Sequence, residues 1–303
     1  MRQARILDNL ALRARVLRAL RTFFDTVGYL EVETPIRIPA PAPEAHIDPQ
    51  PAGAAFLQTS PELCMKRLLA AGYPRLYQLC RCFRRGERGR RHLPEFTLLE
   101  WYTAHQDYRH MMAQTEALVQ QVARAVGPGG ILKFQGREID LEKPFRRLSV
   151  DGAFRRFAGT TPEAALAAGR FDEIVGLEIE PRLGWERPVF VYDYPAPCAA
   201  LARLKPNRAD RAERFELYIG GLELCNGFSE LNDAGEQRTR FMEELDLRRK
   251  AGRPATALPE RFLTDLERMP PATGNALGVD RLVMLLADTV DIDDVTAFVP
   301  EEL

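Results

Sequence analysis

The chain has little of what builds a protein around covalent or metal staples. Its 303 residues include five cysteines, at 64, 80, 82, 198 and 225, too few and too scattered for a disulfide framework. Cys80-Arg81-Cys82 has the wrong spacing for a zinc knuckle, and no second cysteine pair or His-x3-His follows it. Reduced, structural cysteines are expected, which sets the oxidising compartments aside. An excess of either charge is also lacking: 42 Lys and Arg against 43 Asp and Glu leave −1. That balance excludes a global pull toward nucleic acid or anionic membrane, though not a local basic patch. Long apolar runs are missing too. Residues 1–24 form an amphipathic pattern studded with Arg, neither a signal peptide nor a membrane span. The class left standing is a soluble, cytoplasmic enzyme.

What is present points to a large core, since 46% of the residues are hydrophobic. Apolar positions recur at helical spacing over 9–27 and stop at Gly28. A β-rich run, Tyr29 to Thr34, ends at Pro35. Prolines at 39, 41, 43, 49 and 51 make residues 36–53 an extended loop rather than a regular helix or central strand. Ser60-Pro61-Glu62 opens the next helix, with Ser60 as N-cap and Pro61 at the first position. Strands are predicted at 76–84 and 95–102, around an Arg/Gly-rich loop. A helix over 105–126 is ended by Gly127-Pro128-Gly129-Gly130. Residues 144–187 read as an Ala-rich helical insertion, 188–193 as a strand, 213–231 as a hairpin, 234–251 as a helix, and 273–287 as a Gly-bearing strand-to-helix turn. The pattern predicts one α+β domain over 1–303, a mainly antiparallel sheet flanked by helices.

Three constellations carry chemistry. In the hairpin around Gly220-Gly221, pairing Ile219 with Leu222 puts Tyr218 opposite Glu223 and Glu216 opposite Cys225. Glu216 and Glu223 then share a face as diagonal neighbours, roughly 7–8 Å apart. They are either acids on a solvated face or a pair that a cation such as Mg2+ holds together. Simple alternation puts Glu230 on the opposite face; a bulge would bring it back, and Gly227 is the natural place for one. The second constellation has six arginines within 81–91, either a solvated basic loop or a phosphate clamp. On the returning strand Phe96, Leu98, Glu100 and Tyr102 share a face. Phe96 can stack on a base and Tyr102 carries a polar tip, although either can equally be core. The third is Thr273 to Arg281, where Gly274 and Gly278 let backbone approach a ligand and Arg281 falls in the first helical turn.

Together and in this order these segments resemble the three signature motifs of class II aminoacyl-tRNA synthetases. Residues 28–35 look like motif 1, the dimer-interface motif; Phe83-Arg84 through Glu100 like motif 2; and Gly278-Val279-Asp280-Arg281 like motif 3. Within the class the lysyl subgroup fits best, through Ser60-Pro61-Glu62, His92, Pro94-Glu95-Phe96 and the stretch Glu223 to Asp233. The resemblance implies that Arg84 holds the amino-acid carboxylate and α-phosphate of ATP, and Arg281 the γ-phosphate. It implies that Phe96 stacks on adenine with backbone near Leu93 reading its edge. Glu87, His92, Leu224 and Gly278 would complete the ATP site, and Glu216 and Glu223 would bind Mg2+. Ser60, Glu62, Asn226 and Ala276 would line the substrate pocket, Glu62 taking the amino group near the reacting carboxyl, while Tyr102 and Glu230 take the distal ammonium.

Two departures narrow the resemblance. Motif 1 begins by residue 28, so no anticodon-binding domain is expected. That layout is similar to the elongation factor P lysine ligases, which attach lysine or (R)-β-lysine to a lysine of elongation factor P. Ala276 also fits that family, where the lysyl synthetases carry glycine. In motif 2, Gly86 stands where both families have Glu, and Leu93 where they have Asn; Glu87 is positioned to replace the missing carboxylate. The implied activity is ATP-dependent adenylate formation and transfer, by a homodimer, with elongation factor P rather than tRNA as acceptor. The rivals are a truncated enzyme charging tRNA and a non-catalytic regulatory paralogue.

Overall fold

In the computed structural model, which describes residues 1–127 and 129–303, the chain opens with a short helix α1 (Arg2–Arg5) and the long α2 (Leu7–Thr26). The apolar positions of α2 that recur at helical spacing, among them Val16, Leu20, Phe23 and Phe24, are buried. Strand β1 (Leu30–Glu31) follows, and then the proline-rich segment. That segment is mostly extended, but its ends form edge strands. β2 (Arg37–Ile38), β3 (Pro51–Ala52) and β4 (Ala55–Leu57) make a small sheet in the order β2-β4-β3, with Pro51 on an outer strand where no donor is needed. Helix α3 (Glu62–Ala70) has Pro61 at its N-cap, one residue later than the predicted Ser60, and Ser60 Oγ accepts from the Glu62 N–H at 2.9 Å.

Strands β5 (Arg75–Phe83) and β6 (Glu95–Ala104) pair antiparallel around the arginine loop, and α4 (Tyr108–Val126) returns across the sheet. Asp107 caps α4 and the helix ends at Gly127; Pro128 of the predicted stop signal lies outside the described residues. A hairpin, β7 (Ile131–Phe134) and β8 (Arg137–Asp140), had no prediction. The insertion is helical as expected, in α5 (Val150–Phe157), α6 (Pro162–Ala167) and α7 (Phe171–Ile174), but its first residues are not. Residues Arg146–Ser149 form β9, which pairs parallel with β10 (Val189–Pro195). Pairing against a sheet edge overrides the local helical signal there.

The rest of the chain is β11 (Leu204–Lys205), β12 (Arg208–Ile219), β13 (Leu222–Ser229), α8 (Ala234–Lys250), α9 (Glu260–Leu266), β14 (Ala272–Gly278) and α10 (Val279–Leu286). The main sheet runs β1-β5-β6-β14-β13-β12-β10-β9, with β11 on β12. Among the described residues only the outermost pairs, β1 with β5 and β9 with β10, are parallel. This is the expected α+β layout. One face is sealed by α2, α4 and α10. There Leu99, Trp101, Leu217 and Leu277 of the sheet meet Phe24, Val119 and Val283 of the helices, all buried. Each such side chain contributes about 1.5–3 kcal/mol relative to exposure. With that face closed, the alternate residues of β6, β14 and β13 point the other way, into a cavity.

Candidate active site

Strand register lays the cavity floor out in rows. Tyr102 of β6 pairs with Gly274 of β14, which pairs with Phe228 of β13. One step along, Glu100 pairs with Ala276 and Ala276 with Asn226; a further step brings Leu98 beside Gly278. The residues sharing a face on β6 thus become a track. Phe96 to Tyr102 spans about 20 Å at strand rise. Over it stands a cavity of ≈ 570 Å³. It brings together Ser60, Glu62, Tyr102, Asn226, Glu230 and Ala276 at one end, and Arg84, Glu87, His92, Leu93, Phe96, Glu223, Leu224, Gly278 and Arg281 at the other.

The Tyr102 end is acidic and closed. Glu230 and Glu100 are buried. Tyr102 Oη donates to Glu100 Oε2 at 2.8 Å, and Ser60 Oγ donates to Glu100 Oε1 at 2.5 Å. Burial, then the neighbouring Glu62, push Glu100 up to about 8. Burial also pushes Glu230 up to about 8, against the pull of Lys66. Glu230 Oε1 has no hydrogen-bond partner among the described residues. The Tyr102 ring and Glu230 Oε1 both crowd the space where a Cβ of residue 274 would sit, so only glycine fits there. Glu100 shared the predicted face but had no assigned role. Lys66 went unnoticed, because Glu62 and Lys66 one helical turn apart read in the sequence as an ordinary exposed pair.

The Phe96 end is basic. Arg84 lies over the Phe96 ring, 5.0 Å from its centroid. Its backbone is fixed by an N–H to Pro94 O at 2.9 Å and by a bridge to Pro49, and its Nε is buried without a partner among the described residues. Glu87 stands 3.9 Å from Arg84. Arg281 donates to the Glu223 backbone oxygen at 2.9 Å and to its carboxylate at 3.2 Å, and lies 2.6 Å from His92 Nε2. Burial and the Arg281 charge hold the His92 imidazole below its ordinary value, so it stays a neutral partner for that guanidinium. Glu44, from the proline-rich loop, also lines the cavity; burial pushes it up to about 7 against the pull of Arg84.

The hairpin corrects one prediction and meets its requirement another way. Ile219 pairs with Leu222 and Tyr218 with Glu223, but Glu216 faces Asn226 and Leu217 faces Cys225. The register shift falls at Leu224, not at Gly227. Leu224 and Cys225 are both buried, so two consecutive apolar side chains enter the core and the strand skips a beat there. That shift carries Glu223, Asn226, Phe228 and Glu230 to the cavity. Glu216 shares their row but does not line the cavity. Its carboxylate accepts from Tyr194 and Tyr218 at 2.5 Å each and from Arg214 at 2.6 Å. Nearby Glu180 is pushed up to about 7 by burial, Glu223 and Glu216. Glu223, at the cavity wall, is an oxygen donor of the kind a hard cation such as Mg2+ takes, whereas Glu216 would first have to give up its arginine and tyrosine partners. Among the described residues no three acidic, His or Cys side chains are already gathered around one point, so bound phosphate oxygens would have to complete the shell.

The comparisons with known proteins agree with this geometry. The chain matches the tRNA synthetases class II (D, K and N) over residues 1–302. It is 42% identical to the elongation factor P–(R)-β-lysine ligase of Erwinia tasmaniensis, over 96% of this chain and 94% of that protein. It is 41% identical to the ligase of the same name from Pectobacterium carotovorum, with the same coverage. It is 36% identical to the lysine–tRNA ligase of Carboxydothermus hydrogenoformans, over 96% of this chain but 65% of that protein. The chain therefore belongs to the class II tRNA synthetases of the D, K and N type, in the family of the elongation factor P–(R)-β-lysine ligases.

Proposed function

We propose that this enzyme activates lysine or (R)-β-lysine with ATP and transfers the aminoacyl group to a lysine side chain of elongation factor P. The observation that carries the substrate half is the cluster of buried Glu100 and Glu230 with half-buried Glu62 around Tyr102, in which Glu230 Oε1 has no partner among the described residues. Buried carboxylates need cationic partners, and an amino acid with two ammonium groups brings them. The acceptor half rests on the full-length similarity to ligases named for elongation factor P.

In the first step an oxygen of the substrate carboxylate attacks the α-phosphorus of ATP; the α–β bridging bond breaks and pyrophosphate leaves. Arg84 holds the carboxylate and α-phosphate, Phe96 supports the adenine, and Arg281 holds the γ-phosphate. No enzyme nucleophile is required, because alignment and charge stabilisation supply the rate. Glu216 and Glu223 would hold Mg2+, which supplies further positive charge to the phosphate oxygens when bound. In the second step the acceptor amine attacks the activated carbonyl, an amide forms and AMP departs. Glu62 takes the amino group nearer the carboxyl, Glu230 and Tyr102 take the distal one, and Ala276 limits the room between. We place this chemistry in the cytoplasm, in a homodimer formed through the segment that resembles motif 1. Among the described residues no helix is long and apolar enough to cross a membrane.

Incubation with ATP, radiolabelled lysine or β-lysine, and either purified elongation factor P or tRNA tests the proposal. Label on the protein factor is the expected result. Label on tRNA alone would favour the charging enzyme, and absence of lysine-dependent ATP–pyrophosphate exchange would refute activation.

A further inference from the structure

Lys66 places a positive charge behind the acidic end of the cavity, and nothing in the mechanism above uses it. Its side chain has 0% exposure. Nζ lies 2.5 Å from Glu62 Oε1 and 2.5 Å from Glu230 Oε2, and 5.2 Å from the centre of the Phe228 ring. Glu62 comes from the start of α3 and Glu230 from just beyond the end of β13, so this ammonium ties the two walls of the pocket together. The lysine does not line the cavity, whereas both of its carboxylate partners do.

Charge bookkeeping gives the position its meaning. Glu62, Glu100 and Glu230 together carry three negative charges when ionised. Lys66 offsets one and leaves two. A diamino acid brings two ammonium groups, and its own carboxylate goes to the Arg84 end. Without Lys66 the third carboxylate would need another cation or a proton, and Glu62 and Glu230 would lose the bridge that sets their spacing. Glu44, a further carboxylate at the cavity wall, has Arg84 as the leading charge that favours its ionised form and, like Glu87 and Glu223, belongs to the other end. Burial acts to lower the Lys66 ammonium, but Glu230 and Glu62 outweigh it and leave it above its ordinary value, so the charge is permanent.

We infer that Lys66 is a specificity-determining residue: a built-in counter-ion that matches the pocket to ligands with two ammonium groups and positions Glu62 and Glu230 to receive them. This rests on the substrate reading above. Lys66 touches neither the phosphates nor the reacting carboxyl, so its loss should be read in amino-acid recognition and not in ATP recognition.

The test uses the full-length enzyme and ATP–pyrophosphate exchange with lysine. In K66M, KM for lysine should rise by about tenfold or more while KM for ATP stays within about twofold. In K66A, which leaves room for a small cation, ethylammonium should restore a low KM for lysine; in K66M, where the methionine fills the space, it should not. Three results overturn the inference: an unchanged KM for lysine in K66M, a parallel rise of both KM values, or recovery of melting temperature by ethylammonium in K66A without recovery of the lysine KM. The last result also decides the case in which the variants fold poorly. A wild type with no lysine-dependent exchange overturns the substrate reading and this inference with it, whereas a wild type that exchanges normally confines any failure to Lys66.

Discussion

Burial pushes Glu100 up to about 8 and Glu230 in the same direction against the pull of Lys66, so below that pH the empty pocket holds a proton, on Glu100, where a ligand ammonium group must go. The sign follows directly. Glu100 is an acid with a raised value, its protonated form dominates at lower pH, and a cationic ligand competes with that proton. The ε-ammonium of lysine keeps its charge to about pH 10.4. KM for lysine should therefore fall between about pH 6.5 and 8.5, with protons released on binding, as titration calorimetry in two buffers can count. A flat or rising KM would contradict the assignment. At the other end, Arg84→Ala and Arg281→Ala should each lower pyrophosphate exchange by about a hundredfold or more, because each removes a charged contact to the reacting phosphates. Near-normal exchange in either variant would count against the mechanism. Between the ends, Ala276→Gly removes one methyl from the row that also holds Glu100 and Asn226. It should shift the kcat/KM ratio toward α-lysine by roughly ten- to two-hundredfold at most. An unmoved ratio would show that Ala276 is not the selector.

The elements of the sheet were legible in the sequence where one face is core and the other is site. In β6, Leu99 and Trp101 go inward while Glu100 and Tyr102 face the cavity, and period two announces it. The bulge was legible only as a need. Gly227 drew attention because glycine tolerates bulges, yet the shift falls where Leu224 and Cys225 adjoin, and which apolar neighbour yields depends on packing across the sheet. Strand β9 was hidden inside a helix-rich insertion because its pairing partner, β10, lies some forty residues further along the chain. The proline-rich loop gave no hint that helix α8 fastens it. Arg248, only 2% exposed, donates to the backbone oxygens of Glu44 at 2.8 Å and Ile47 at 2.7 Å, and pairs with Asp48 at 2.8 Å. Arg248→Ala should lower stability by about 2–4 kcal/mol, since it strips several buried acceptors of their donor at once. Urea unfolding with an unchanged midpoint would contradict that role.

For the whole molecule, the segment resembling motif 1 ends the main sheet on an open edge, β1, where Leu30 is 50% and nearby Ile36 45% exposed. Apolar side chains beside unpaired strand backbone favour a second copy there. Sedimentation should give about twice the chain mass of 34.3 kDa, and Leu30→Asp should shift it toward the monomer; a concentration-independent monomer would contradict this. The placement of charge within the single chain has a different consequence. A protein whose net charge is −1 exerts almost no pull at a distance, yet its cavity gathers its guanidinium groups at one end, paired with Glu87 and Glu223, and sets Glu62, Glu100 and Glu230 at the other. An amino acid entering backwards would press its carboxylate against Glu230 and its ammonium against Arg84, so orientation is decided before fit is. The cavity sorts by direction first and by length second. Moving the amino group by one carbon leaves the two ends of the cavity as they are and bears on the middle row, where the Ala276→Gly variant asks whether one side chain chooses between neighbouring substrates.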